Sequence, residues 1–531
     1  MTGIHNITVA ISAIATFAIA FSANAGAMSG PKVIAELRHA QTAPLRDLIR
    51  EYGRKGALGA HTIIPLHRLR VGRGTRDALG NTTLLAALNT TDELNFEGVD
   101  FICSPPGYCV SPSPSGAVGA TEYVQWVNTE YEVYDKSTGA PLSGPIAGNT
   151  LWYDAFGASD PCGGNNEGNS VVLYDKAAGR WVLEQQKWDT PPFFECMAVS
   201  TSSDALGSYN VYEFSLGSTQ EPLYPELGTW PASGNSGYFL TADNYAKDRK
   251  GSWTFDGAML CGIDRASMLA GGAASMQCFQ LSSTYGGVLP GDLDGTTLPP
   301  SGADENFADF TGTKAVNFWH MHADFANPNN TTLVGPTAVA VPSFTALCAS
   351  GDCVPQKGTS TSLESMGERL MYRLAYRNFG DHESLVTNHS VQVNRRGAVR
   401  WYEFQNPAHP TLAQSGNVVD SSLWYWMGSI AMDKAGDMAA GFSTSSGTAY
   451  PGINYAGRSA GDPAGTMSAH AGLTTTGGGS QTEPYWGHRS SMSVDPGDDC
   501  TFFYTTEYLQ LSGGFFNWST RVNSFKFNTC N

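Results

Sequence analysis

The sequence predicts an all-β fold: a seven-bladed β-propeller, with six and eight as the neighbouring counts, and a short N-terminal arm. Three observations carry that expectation. Gly supplies 60 of 531 residues, aromatics 11% and charged residues only 15%, a composition that suits many short strands and tight turns better than helices. Strand-like segments of similar build recur from about Tyr123 to the C-terminus. Two of them nearly superimpose: Ser429-Ile-Ala-Met-Asp433-Lys-Ala-Gly-Asp and Ser491-Met-Ser-Val-Asp495-Pro-Gly-Asp-Asp match in alternation, turn and second strand at an offset of 62 residues. Units of that size with four short strands bury their faces only against their neighbours, as propeller blades do.

Residues 1–25 read as a signal peptide. They carry no Lys, Arg, Asp or Glu, contain the apolar run Ile7 to Phe21 and end in Ala23-Asn24-Ala25, a small-x-small cleavage signature, although the usual N-terminal cation is missing. The run is short for a bilayer span and no later stretch resembles one, so a secreted or periplasmic protein without a transmembrane segment is expected. Ten cysteines fit an oxidising compartment. Their sequence neighbours suggest local loops: Cys103 with Cys109, Cys162 with Cys196, Cys261 with Cys278, Cys348 with Cys353, and Cys500 with Cys530. Spacing alone does not fix pairing. A zinc site is the weaker alternative, since no two Cys-x-x-Cys pairs occur.

Residues 26–90 read as a basic arm. Val33 to Tyr52 has helical spacing interrupted at Pro44, and residues 26–80 carry a net charge of +6. Such an arm is either a removable pro-segment whose cations cover acidic loops or a linker. The formal charge of −17 for the whole chain then leaves −23 on residues 81–531. A propeller this acidic is expected to repel nucleic acid and anionic membrane.

The ring occupies residues 91–531. Its first strands are placed at Glu122 to Val127, Ser170 to Asp175, Pro225 to Trp230, Gly287 to Leu289, Leu370 to Arg377, Trp426 to Asp433 and Ser490 to Asp495. Asp135-Lys136 and Asp175-Lys176, each followed by a Gly, mark hairpin turns. Closure is expected from C-terminal residues such as Ser524 to Phe527 completing the first blade, because an open ring leaves sheet edges exposed.

The segments Gly116-Ala-Val-Gly-Ala-Thr-Glu-Tyr-Val-Gln-Trp-Val-Asn128, Tyr372-Arg-Leu-Ala-Tyr-Arg-Asn-Phe-Gly-Asp-His-Glu383 and Ser490-Ser-Met-Ser-Val-Asp-Pro496 resemble a group of secreted bacterial propeller proteins of sialidase-like shape. The resemblance covers residues 95–531 and implies a fold rather than a particular activity. Two places depart from the group's pattern. Ser113-Pro114-Ser115-Gly116 stands where members often show Asp-Thr-Asn-Gly, and His488 replaces an Asp that commonly follows Trp-Gly in the last blade.

First strands line a propeller's channel and the loops leading into them build its ligand face. Glu167, Asp292, Asp294, Asp381, His382, Trp426, His488 and Arg489 are therefore expected around one mouth. Convergent carboxylates there would raise some carboxyl pKa values or recruit a cation. Asp292-Leu-Asp294-Gly295 begins like a calcium loop, but Ala303 stands where an EF-hand needs Glu, so it reads either as an acidic turn or as a Ca²⁺ site. Tyr372 to His389 concentrates functional side chains. Arg373 and Arg377 share a strand face opposite Tyr376, and they present guanidiniums either to a substrate carboxylate or to acids of a neighbouring blade. His382 and Glu383 read as an acid–base pair or as a hydrogen-bonded turn. His320-Met-His322-Ala-Asp324 puts metal-ligand types at alternate positions, in a context more typical of a packed strand. Gly457-Arg-Ser459-Ala-Gly461 matches a serine-hydrolase elbow without its strand–helix context and reads as a loop.

These features predict action on an extracellular polysaccharide or glycan, as a glycoside hydrolase or polysaccharide lyase. Asp381, His382, Glu383, Arg377 and Tyr376 are the candidate catalytic groups, Glu167, Arg373, Trp426, His488 and Arg489 the candidate substrate contacts, and Asp292 and Asp294 the candidate calcium ligands. The competing expectation is a non-catalytic glycan-binding or adhesion propeller at the cell surface. Rim carboxylates paired with arginines across blades would favour it.

Overall fold

A computed structural model describes residues 30–52, 77–79, 88–100, 112–348, 351–513 and 517–531. The signal-peptide segment, Cys103 and Cys109 lie outside the described residues. Within them the strands sort into antiparallel meanders of four. The first blade holds Ser115–Val118, Glu122–Val127, Glu130–Asp135 and Pro141–Ala147; the second Val171–Asp175, Arg180–Lys187, Phe193–Ser200 and Tyr209–Gly217; the third Gln220–Ala232, Asn235–Lys247, Trp253–Asp264 and Ser275–Gln280. The fourth holds Leu289–Asp294, Glu305–Asp309, Ala315–His322 and Thr332–Ala340, and the fifth Met371–Asn378, Glu383–Val393, Arg396–Gln405 and Thr411–Val418. The sixth holds Trp424–Met432, Met438–Ser446, Ala449–Arg458 and Ser468–Ala469. In the seventh, Ser491–Val494, Thr501–Tyr508 and Ser519–Phe527 are joined by Thr90–Glu97 from the N-terminal side.

Each first strand contacts the next around the set, and the seventh returns to the first, which makes a closed ring and a β-propeller. The fourth and fifth first strands pair directly in parallel, Asp292 opposite Ala375. Apolar clusters sit between successive blades. Val386 and Val399 of the fifth blade meet Ile430 and Phe442 of the sixth, and Ile453 and Tyr455 of the sixth meet Phe502 and Phe525 of the seventh. This face-to-face burial explains the repeated alternation, since each sheet has two faces to cover and only neighbouring blades to cover them. Gly441 marks how closely the sixth and seventh blades approach, because a Cβ there would run into the Tyr504 ring.

The first-strand placements hold for six of the blades. In the first blade, Glu122–Val127 is the second strand and the short Ser115–Val118 lines the ring. Closure also differs from expectation. Ser524 to Phe527 belong to the seventh blade, and Thr90–Glu97 completes that blade by pairing Thr90 with Phe527 and Glu97 with Arg521. The helical spacing from Val33 is realised only after Pro44, as Leu45–Tyr52 with Leu45 and Leu48 buried. Lys32–Gln41 is instead a strand hydrogen-bonded to the outer strands of both the second and third blades, Ala40 opposite Val211 and Ile34 opposite Met276. Two free strand edges outweigh a weak helical spacing. Disulfides join Cys162–Cys196, Cys261–Cys278, Cys348–Cys353 and Cys500–Cys530, the local pairs expected. They fit an oxidising compartment, and no helix among the described residues is long and apolar enough to cross a membrane.

Candidate functional site

All first strands run the same way, so their N-terminal ends define a mouth and their C-terminal ends a base. At the mouth the polar side chains are spent on one another. Arg489, 1% exposed, donates to the carbonyl of Ser170 at 2.7 Å, to that of Pro225 and to Glu226 Oε2 at 3.2 Å, reaching from the seventh blade to the second and third. Its guanidinium also lies over the Tyr372 ring. Burial raises the Glu226 carboxyl to about 7 against the pull of Arg489 and Arg369. Glu167 Oε2 accepts the backbone N–H groups of Trp188 at 2.5 Å and Asp189 at 2.7 Å, fixing a loop. Trp426 is fully buried against Trp486 rather than on a rim. His488 shares a hydrogen bond with Ser113, and burial holds its imidazole well below the ordinary histidine range.

Inside the ring, Arg373 donates to Asp292 Oδ2 at 2.9 Å and to Asp294 Oδ2 at 2.7 Å, and Lys176 reaches Asp294 from the second blade. Burial alone would raise the Asp294 carboxyl, but Arg373 and Lys176 overcome it and hold the group well below the usual carboxylate range. The carboxylates read as calcium ligands are thus neutralised by side chains, in an acidic strand end rather than an open loop. Arg377 grips Asp499 with two bonds of 2.8 and 2.7 Å, linking the fifth blade to the seventh. A small cavity of about 20 Å³ lies beside Arg373, Tyr372 and Met492.

Asp381 and His382 follow the first strand of the fifth blade instead of preceding it, so they lie at the base, away from His488. They form an exposed hairpin tip in which Asp381 accepts from His382 Nδ1 at 2.7 Å and the imidazole stacks on Phe379. Asp292 and Asp294 lie within their strand. The sequence grouping of one mouth therefore divides among mouth, channel and base.

Of the predicted catalytic groups, Glu383 lines an open groove, with the buried Tyr376 bonded to it from behind. A groove of about 620 Å³ at the base is lined by Trp230, Asp304, Asn306, His320, Glu383 and His409, with Pro300, Pro407 and Pro410 on its walls. Loops that follow the first strand of the fourth blade and the third strand of the fifth bring these residues together. Tyr376 donates to Glu383 Oε1 at 2.5 Å, and the Tyr376 ring meets the Trp230 floor edge-on at 4.6 Å. Burial, opposed by Asp304 and assisted by His409, lowers the pKa of His320, so its imidazole is neutral near pH 7. Asp304 accepts from His322 Nδ1 at 3.2 Å. The third residue of that alternation, Asp324, instead accepts the backbone N–H groups of Ala326 and Asn327 and closes a separate turn. Ser459 enters a turn held by Asp462, as a loop reading expects. Trp230, Asp304, Asn306 and His409 carry no local sequence signal, because they converge only when blades three to five pack together.

No protein-family model matches the chain, and no curated protein matches it. Among solved structures the chain is similar to a fungal alcohol oxidase in complex with copper, at 10% identity over 82% of this chain and 76% of that one, with a TM-score of 0.41. It is also similar to an endo-arabinase from Bacteroides thetaiotaomicron, at 8% identity over 67% and 92% with a TM-score of 0.28. A third likeness is to the polysaccharide lyase Uly1, at 11% identity over 84% and 100% with a TM-score of 0.30. At these identities and scores the likenesses carry no inference about activity.

Proposed function

We propose that the protein is an exported propeller of sialidase-like shape that acts on extracellular carbohydrate through the groove at its base, as a glycoside hydrolase on neutral sugars. The observation that supports this reading is the groove's set of groups: carboxylates at Glu383 and Asp304, a neutral imidazole at His320 and an amide at Asn306, in a cleft of ligand size. Glycoside hydrolysis needs two carboxyl groups flanking the scissile bond, and Glu383 and Asp304 are the pair on this wall. A lyase acting on uronates needs a cation to neutralise the substrate carboxylate. Arg373 and Arg377 are already engaged with Asp292, Asp294 and Asp499, and no Lys or Arg lines the groove among the described residues. That favours hydrolysis over elimination.

The test is to incubate the mature protein with a panel of neutral and uronic polysaccharides while following reducing ends and the absorbance of unsaturated products. Reducing ends from a neutral glycan, reduced about 10²–10⁴-fold by Glu383→Gln, support the reading. Unsaturated products from a uronic glycan would replace it with a lyase. The second reading is a non-catalytic glycan-binding platform, and the cross-blade pairing of Arg373, Arg377 and Arg489 with acids favours it. Glycan binding without any product would establish that reading instead.

A further inference from the structure

Away from the groove, the second blade buries two carboxylates to which no side-chain cation donates. Register sets Glu184 opposite Val171 and Met197, and Gln186 opposite Glu195, so all of them share the sheet face that packs on Leu227 and Leu240 of the third blade. Glu184, Gln186 and Glu195 are at most 1% exposed. Gln186 Nε2 donates to Glu195 Oε2 at 3.0 Å. The Glu184 and Glu195 carboxyls lie within hydrogen-bond reach of each other, and beyond that contact both oxygens of Glu184, Oε1 of Glu195 and Oε1 of Gln186 find no donor. Arg489, whose charge acts on Glu184, gives its hydrogen bonds to Ser170, Pro225 and Glu226.

Burying two carboxylates side by side costs several kcal/mol per ion unless charge is supplied, and a buried amide oxygen left without a donor adds to that cost. The orphaned atoms are all acceptors, and each is a hard oxygen. Water supplies donors but no charge, whereas a divalent cation answers both needs. We propose that the inner face of the second blade holds one calcium ion, ligated by the carboxylates of Glu184 and Glu195 and by Oε1 of Gln186, with carbonyl or water oxygens completing the shell. Calcium fits better than magnesium because it accepts an irregular set of protein oxygens, while magnesium demands octahedral geometry and retains its waters. Burial raises both carboxyls, Glu195 to about 7, so protons compete with the metal as the pH falls.

The experiment uses full-length mature protein, stripped with EGTA and desalted into buffers at about pH 7.5 and about pH 9, because the metal must displace the ligands' protons. Calcium alone is then titrated by calorimetry, the metal content is measured by mass spectrometry, and melting is followed with and without calcium. The expected result is one bound equivalent and a melting temperature that rises until that equivalent is filled. Glu184→Gln should lose both, while Asp248→Asn, at an exposed turn, keeps both. Glutamine has the shape of a protonated glutamate, so the variant keeps the packing, and Glu195→Gln provides an independent copy of the test. Two results would overturn the proposal. One is melting that ignores calcium and EGTA while Glu184→Gln stabilises the protein at alkaline pH, which means a proton shared between the carboxylates. The other is a full calcium equivalent retained in Glu184→Gln and Glu195→Gln, which places any ion elsewhere.

Discussion

Ser113 Oγ and His488 Nδ1 lie 2.7 Å apart, 375 residues distant in sequence. A neutral hydroxyl there faces an imidazole kept neutral by burial and by the nearby charges of Arg489 and Arg369.

That pairing predicts acid lability. His488 has its pKa depressed in the fold, so the unfolded chain binds the extra proton. The stability it contributes is present above the unfolded value near 6.5 and is lost as pH falls below it. His389, buried beside Tyr402, adds to the same trend. His488→Asn should lower the midpoint of acid unfolding followed by fluorescence and recover about 1–2 kcal/mol near pH 5. An unchanged midpoint would show that His488 does not govern the transition.

Arg373 should be a structural residue and Asp381 a dispensable one. Arg373→Met removes the shared cation of Asp292 and Asp294 and should cost about 3–5 kcal/mol in denaturant unfolding. Asp381→Ala, at an exposed tip, should stay within about 0.5 kcal/mol and leave any glycan activity intact. A large loss of activity at unchanged stability in Asp381→Ala would return the catalytic role to the hairpin.

Asp433 should make the protein less stable at high pH. Burial and the neighbouring Asp437 raise its carboxyl to about 7, and its Oδ1 accepts from Ala435 and Asp437. A raised carboxyl favours the folded state while protonated, so its contribution is complete below the unfolded value near 4 and disappears as pH rises through about 7. Asp433→Asn keeps the acceptor and removes the charge. It should stabilise the protein by about 1–3 kcal/mol near pH 8 and change little near pH 4, read from urea midpoints at the two pH values.

The fold was legible wherever its determinants were local. First strands such as Met371–Asn378 and Trp424–Met432 are apolar and bounded by turns, and cysteines 5 to 34 residues apart paired as neighbours. Ser115–Val118 was missed because four small residues carry little strand signal of their own, and the longer Glu122–Val127 beside it reads better. The site was less legible because its charges are settled over long distances. Arg489 meets Ser170 across 319 residues and Arg377 meets Asp499 across 122. No local spacing tells a guanidinium that closes a ring from one that awaits a substrate. Glu383 and Tyr376 emerged from the strand pattern, but Asp304 and His409, from other loops, did not.

The strand Lys32–Gln41 supplies the last test, because it separates an integral element from a removable arm. It pairs on both sides, and its Arg38 donates to Glu213 Oε2 at 2.8 Å and also holds Asp160, both carboxylates being buried. Burial and the adjacent Asp160 raise Glu213 to about 8 even with Arg38 in place. Deleting residues 26–43 would strip this cation and expose two strand edges, Tyr209–Gly217 and Ser275–Gln280, a known route to edge-to-edge association. The truncated protein should melt earlier and scatter light on concentration, with faster hydrogen exchange confined to those two strands. Arg38→Met alone should destabilise by about 1–3 kcal/mol, less than a fully buried pair because Arg38 is itself partly exposed. A truncated form as stable and monodisperse as the full chain would identify the strand as a detachable pro-segment.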